Sequence, residues 1–328
     1  MFAEHLQPNL AKETVEKSAT RNGYGDGLLE AGKRDENVVA ICCDLTESTK
    51  THLFANAFPH RFIQGGVAEQ NMASVGSGMA IMGKVPFIAS YAMFSPGRNW
   101  EQIRTTIAYN NANVKIVGAH AGVSVGPDGA THQAIEDIAL MRAMPNMVVI
   151  APADEHEARK ATLAAAKYKG PVYFRLGRSA TPIVTTPDSP FEIGKAQRMF
   201  TRAESHERTV GIIVTGSLLF NALMAAEQLN TEGIGASVLH MPTIKPLDVE
   251  ALEAFAAEHD ALVTVEEHQV NGGLGGAVAE HVSGVMPKKI ARIGVQDEFG
   301  QSGEPDELVE HYGMGIDSIV AASRKVLN

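Results

Sequence analysis

The amino-acid sequence predicts an α/β protein made of two doubly wound, mostly parallel sheets, and three observations carry that reading. Short β-branched runs alternate with longer helical patterns over the first half of the chain, the rhythm of βαβ units. The periodicity fails from about Leu176 to Arg208, where prolines at 182, 187 and 190 favour an extended crossing segment. A second α/β series follows, and 328 residues exceed what one ordinary core needs. The predicted partition is residues 1–180 for the first domain, 181–207 for a linker and 208–328 for the second domain.

After a polar N-terminal arm and a helix ending near Lys33, strands are expected at 38–42, 61–64, 85–90, 114–119, 147–150 and 172–175. Each is a short apolar or β-branched run between turn residues. Helices fit at 72–82, 99–109, 135–144 and 155–168. In the second domain a strand at 209–215 leads through Gly216-Ser217 into a helix reaching Leu229. Strands near 236–240, 261–266 and 289–293 and helices from Gly275 and Asp317 complete the series.

Composition narrows the function. Apolar residues at 45% and charged residues at 20% suit a full core with a solvated surface, which excludes a disordered chain. The formal charge of −10 is spread without a basic block or aromatic-basic stripe, arguing against a nucleic-acid or anionic-membrane surface. Any phosphate must therefore meet a local cluster of cations. The two cysteines, Cys42 and Cys43, are adjacent and cannot bridge the fold, so a reducing cytoplasm is expected. The first residues lack a basic and then apolar leader pattern, and no run approaches the ~18 apolar residues of a membrane span. A soluble, untargeted protein is the expectation.

Three glycine motifs are set aside. Gly78 to Lys84 matches a P-loop up to its lysine, but Val85 stands where a magnesium-binding hydroxyl is needed, and a buried helix explains the run. Gly25-Asp26-Gly27 imitates a diphosphate and magnesium motif. No buried strand delivers that aspartate, so a glycine-loosened helix start is preferred. Asn271 to Gly276 has the wrong spacing for a nucleotide fingerprint and reads as a glycine-rich helix entry.

Five loops then fall at the carboxyl ends of first-domain strands, where open α/β sheets build their sites. They carry Asp44 to Ser48, Gly66-Val-Ala-Glu-Gln-Asn71, Tyr91 to Arg98, His120 through Gly126-Pro-Asp-Gly-Ala-Thr-His132, and Arg175-Leu-Gly-Arg178. One such polar loop is ordinarily a cap or a packed side chain. Their concentration along one edge is the signal.

These segments closely resemble the pyrimidine-binding domain of transketolases, and residues from about 200, including Val265-Glu-Glu-His-Gln and the following glycines, resemble the transketolase C-terminal domain. The resemblance covers nearly the whole chain. It implies a thiamine diphosphate enzyme that moves a two-carbon ketol group from a ketose phosphate to an aldose phosphate. Full transketolases carry a further domain in front, with the diphosphate and magnesium site. The resemblance therefore implies the smaller subunit of a split transketolase, a two-plus-two heterotetramer, with Mg2+ ligands on the partner and none here.

By resemblance, Glu69 is the carboxyl that bonds the aminopyrimidine ring of the coenzyme, whose chemistry needs that contact for proton transfer. A negative charge at the start of the following helix is the competing role for Glu69. Tyr91 and Phe94 wall the pyrimidine, with Phe87 a weaker candidate and ordinary core packing the alternative. Asp44 lies near the coenzyme. His120 and His132 handle protons and contact substrate oxygens, and Asp128 takes a sugar hydroxyl, against a simple turn role in Pro-Asp-Gly. Arg21, Ser48 and Arg175 match the phosphate grip, while Arg98 and Arg178 are as well explained by carboxylate pairing. Deoxyxylulose-phosphate synthase, a 2-oxoacid dehydrogenase E1 β subunit and a non-catalytic scaffold are the alternatives.

Overall fold

The computed structural model describes residues 1–8, 10–11 and 14–328. Its first sheet has seven strands, in spatial order Thr243–Lys245, Val148–Ile150, Val172–Arg175, Lys115–Ala119, Val85–Tyr91, Val38–Cys42 and Phe62–Gln64. All neighbours are parallel except the Thr243–Lys245 edge. The central strands are buried along their whole length, which accounts for apolar runs broken only by Lys115 at the start of one and Arg175 at the end of another. The second sheet runs Lys289–Val295, Ala261–Gln269, Thr209–Val214, Gly235–His240 and Gln197–Phe200, with only the last antiparallel. Two mostly parallel sheets with helices on their faces are thus the observed architecture.

Helices pack as their small residues allow. Thr20–Arg34 lies against Glu155–Lys167, and a Cβ at Gly23 or Gly27 would run into the backbone and side chains of the second helix. Gly25, Asp26 and Gly27 therefore sit inside a helix that approaches its neighbour closely, with Asp26 exposed. The loop before Leu274–Val285 is equally self-contained: Glu266 accepts the N–H groups of Leu274 and Gly275 at 2.6 and 2.8 Å, filling the helix N-terminus from within the chain. Met-Ala-Ile of the P-loop imitation belongs to the helix Glu69–Ile81.

Several elements depart from expectation. The helix after Arg98 is α-helical only over Trp100–Gln102 and then π-wound over Ile103–Ala108. The N-terminal arm is not merely polar: Leu6 and Leu10 are buried among second-domain side chains, and Phe2 bridges Phe200. Gln197–Phe200, from the segment expected to cross extended, is the edge of the second sheet, while Thr243–Lys245 crosses back to edge the first. Helices Val249–Ala257 and Pro305–His311 were not anticipated. Asp248 caps the former by accepting Ala251 N–H at 3.2 Å.

Candidate active site

The five polar loops leave adjacent parallel strands, so all five reach one edge of the first sheet. Two non-glycine residues at that edge, Asp44 and His120, adopt left-handed backbone with φ of 60° and 56°. Such strain persists only where surroundings fix it, and it gathers at working sites.

Glu69 begins the helix Glu69–Ile81, which starts three residues before the expected turn, and its side chain is buried. Ser90 Oγ donates to Oε1 at 3.1 Å, and Arg98 Nη1 donates to Oε2 at 3.2 Å. Asn99 fixes the backbone by donating to Glu69 O at 3.1 Å. The Arg98 guanidinium also lies 4.2 Å from the centre of the Phe94 ring. A flat, hydrogen-bonding cation thus rests on an aromatic face while holding a buried carboxylate. Ser90, missed in the sequence, was marked there as the one hydroxyl in an otherwise apolar strand apart from the terminal Tyr91.

Beside this carboxylate stands a cationic cluster. Tyr91 stacks on His120 with ring centres 3.9 Å apart and on Phe94 at 5.8 Å, while His132 meets Phe94 edge-on at 5.5 Å. Arg21 Nη1 donates to Ser48 O at 2.8 Å and lies 3.4 Å from His120 Nε2. The Ser48 contact is therefore through its backbone carbonyl. Burial, then the Arg21 and Arg178 charges and His132, lower the His120 pKa to about 3, so the ring is neutral at physiological pH. His120 Nδ1 and Arg21 Nε are buried with no hydrogen-bond partner within the chain. Asp44 is exposed at the rim, its N–H held by Gln64 Oε1 at 2.8 Å. Phe87 packs inside the sheet instead and has no place at the rim.

One expected ligand is corrected. Arg175 does not reach the rim: its Nε bonds both carboxylate oxygens of buried Asp137 at 3.1–3.2 Å, and Nη2 donates to the carbonyls of Ala134 and Glu267 at 3.2 and 2.6 Å. Burial opposes its charge, but Asp137, Glu267 and Tyr173 outweigh that and raise its pKa. Arg178, three residues further and beyond the strand end, is the arginine at the rim. Its Nη1 is 4.0 Å from Asp128 Oδ1, and its charge acts on both Arg21 and His120. Strand geometry explains the difference: Arg175 is the last residue of Val172–Arg175, still facing the interior, whereas the following turn releases Arg178.

Comparison with known proteins gives a consistent kinship. Residues 16–184 match the transketolase pyrimidine-binding domain and residues 201–319 the transketolase C-terminal domain. A Methanocaldococcus jannaschii chain, provisionally described as a transketolase C-terminal section, is 48% identical over 91% of this chain and 93% of its own length. The 6-deoxy-6-sulfo-D-fructose transketolase subunit SqwH of a Clostridium species is 38% identical, covering 95% of each chain. Among solved structures, a split-gene transketolase in an inactive β4 tetramer superposes with a TM-score of 0.86 at 44% identity, over 95% of this chain and 99% of that one. Campylobacter jejuni transketolase gives 0.78 at 25% identity, with this chain spanning 96% of itself and 48% of that protein. The chain therefore belongs to the transketolase family and carries its pyrimidine-binding and C-terminal domains.

Proposed function

We propose that this chain is the smaller subunit of a split transketolase, transferring a two-carbon ketol group from a ketose phosphate to an aldose phosphate. The observation that carries the proposal is the pairing, on one sheet edge, of a buried carboxylate beside an aromatic face with a histidine and arginine cluster in which two buried nitrogens lack partners. Thiamine diphosphate, when bound, supplies an acidic thiazolium carbon that acts as nucleophile and electron sink. The residues present fit its aminopyrimidine: Glu69 would accept from the ring nitrogen, and Phe94 with Tyr91 would stack on the ring. Asp44 would stand at the coenzyme's rim.

His120 and His132 then orient the substrate's oxygens and exchange protons with them, His120 as a neutral ring. Asp128 takes a sugar hydroxyl. Arg21 and Arg178 hold the phosphate, with the Ser48 backbone fixing Arg21.

The partner is a subunit carrying the diphosphate and Mg2+ ligands, assembled as two copies of each chain. Val67, Ile81 and Met82 lie 69–82% exposed on and beside the Glu69 helix, an apolar fringe that a second chain would cover. The solved relative in its β4 form is inactive, which supports activity only with a partner. Two buried free thiols favour a cytoplasmic location. The test is reconstitution with such a subunit, followed by ketol transfer and by hydrogen–deuterium exchange at the coenzyme C2. Glu69→Gln should keep assembly but slow exchange by orders of magnitude. Unchanged exchange would return Glu69 to a purely structural role.

A further inference from the structure

The loop that carries Asp128 and His132 is held from the second domain. Gln133, buried, donates from its amide to Val123 O at 3.0 Å, Gly126 O at 3.4 Å and, across the domain boundary, Gln301 O at 2.9 Å. Its own Oε1 has no partner and abuts Gly300 so closely that a Cβ there would clash. On the other side of the loop, Glu267 Oε1 accepts Ser124 N–H at 2.7 Å while Oε2 takes Ser217 Oγ at 3.1 Å. Gly122, Gly126 and Gly129 all have positive φ, and side chains there would meet Glu267, Pro305 and Ser302 respectively, all second-domain residues. A loop with three left-handed glycines has many conformations open to it when free. Here it is pressed into one of them by a domain that carries none of the candidate coenzyme or substrate ligands.

We infer that the second domain acts as a positioning frame for substrate recognition, with Gln133 and Glu267 as positioning residues that set where Asp128 and His132 stand. The inference rests on the ketol-transfer reading. It separates two halves of the site: Glu69, Ser90 and Arg98 are anchored wholly within the first domain, whereas the Asp128–His132 loop, bonded by Arg178 and Ser179 of the first domain, is held from the second domain as well. Loosening the frame should therefore harm substrate capture and leave coenzyme proton exchange alone. Small displacements of a positioning group are enough to cost one or two orders of magnitude.

Gln133→Met keeps the volume and removes the donors, Gly300→Ala pushes on Gln133 from the second domain, and Glu267→Ala and Glu267→Gln form a pair in which the amide oxygen can still accept from Ser124 N–H while its NH2 donates to Ser217 Oγ. In the isolated chain, hydrogen exchange of the peptide covering 122–132 should speed up in the first three variants and stay near normal in Glu267→Gln. In the complex reconstituted with the diphosphate-binding subunit, KM for the ketose phosphate should rise about tenfold or more in those three. Deuterium exchange at C2 should stay within about twofold in all four, reporting an intact fold and coenzyme site. The inference is overturned if the loop's exchange is unaltered, if the loop loosens while KM holds, or if C2 exchange falls in parallel with substrate turnover. Absence of ketol transfer by the unsubstituted complex overturns the functional reading and this inference with it, a result distinct from an active complex that ignores Gln133.

Discussion

Replacing Arg175 separates an arginine that builds the fold from one that meets a ligand. Its guanidinium lies inside, on Asp137, and Tyr173 Oη donates to the same carboxylate at 2.7 Å, all three side chains being nine-tenths buried or more. Arg175→Met leaves Asp137 buried with a hydroxyl for company and strips the Ala134 and Glu267 carbonyls of a donor. Removing one member of such a pair costs about 3–5 kcal/mol, mostly the penalty of the charge left behind. Over 328 residues, at about 2.1 cal/mol/K each, the unfolding entropy is roughly 0.7 kcal/mol/K, so Tm should fall by about 4–7 °C. Differential scanning calorimetry of the isolated chain reads this directly. In the assembled enzyme any loss of kcat/KM should be equal for phosphorylated donors and for hydroxypyruvate. An unshifted Tm together with a KM defect confined to phosphorylated substrates would refute the argument and restore Arg175 to the phosphate.

Arg178→Ala and Arg21→Ala should do the opposite, raising KM for phosphorylated substrates about tenfold or more with little change in Tm, and lysine should restore only part because it lacks the planar fork. Equal effects on unphosphorylated donors would remove both from the phosphate grip. Arg98→Ala takes away a cation that competes for Glu69 and for the Phe94 face, so coenzyme Kd in the assembled enzyme should fall about fivefold, the equivalent of roughly 1 kcal/mol for a pair whose arginine is half-exposed; titration calorimetry giving weaker binding would contradict this. Because the His120 pKa is lowered to about 3, the unfolded chain binds the proton first, and stability is lost as pH falls from about 6.5. His120→Asn should lessen the acid slope of stability in that window by up to about 1.4 kcal/mol per pH unit, and an identical slope in denaturant titrations would argue that His120 is not held neutral.

The sequence was most readable where one force dominates. A buried parallel strand such as Val38–Cys42 must be apolar on both faces, and its bounds, like those of Val172–Arg175, were read to the residue. Placing the polar loops on one edge followed from chain direction alone. What stayed hidden was decided by contacts between distant segments. The strand end at Arg175 was legible, but what draws that arginine inward is Asp137, 38 residues away and buried beneath the strand. The grip of Gln133 on Gln301 spans 168 residues, and the polar N-terminal arm conceals leucines whose burial exists only once the second domain is present. Residues 9, 12 and 13 of that arm lie outside the described residues.

The short edge strand Thr243–Lys245 bears on how the chain is made. Its partner, Val148–Ile150, has left the ribosome nearly a hundred residues earlier, and until Thr243–Lys245 pairs with it antiparallel its outer hydrogen-bonding groups face solvent. An unpaired strand edge is a template for wrong pairing. During synthesis the first domain therefore waits with one open border while the chain that will seal it is still being translated. A polypeptide released near residue 200 should fold slowly, associate through that border and call on chaperones, whereas the full-length chain closes it by itself.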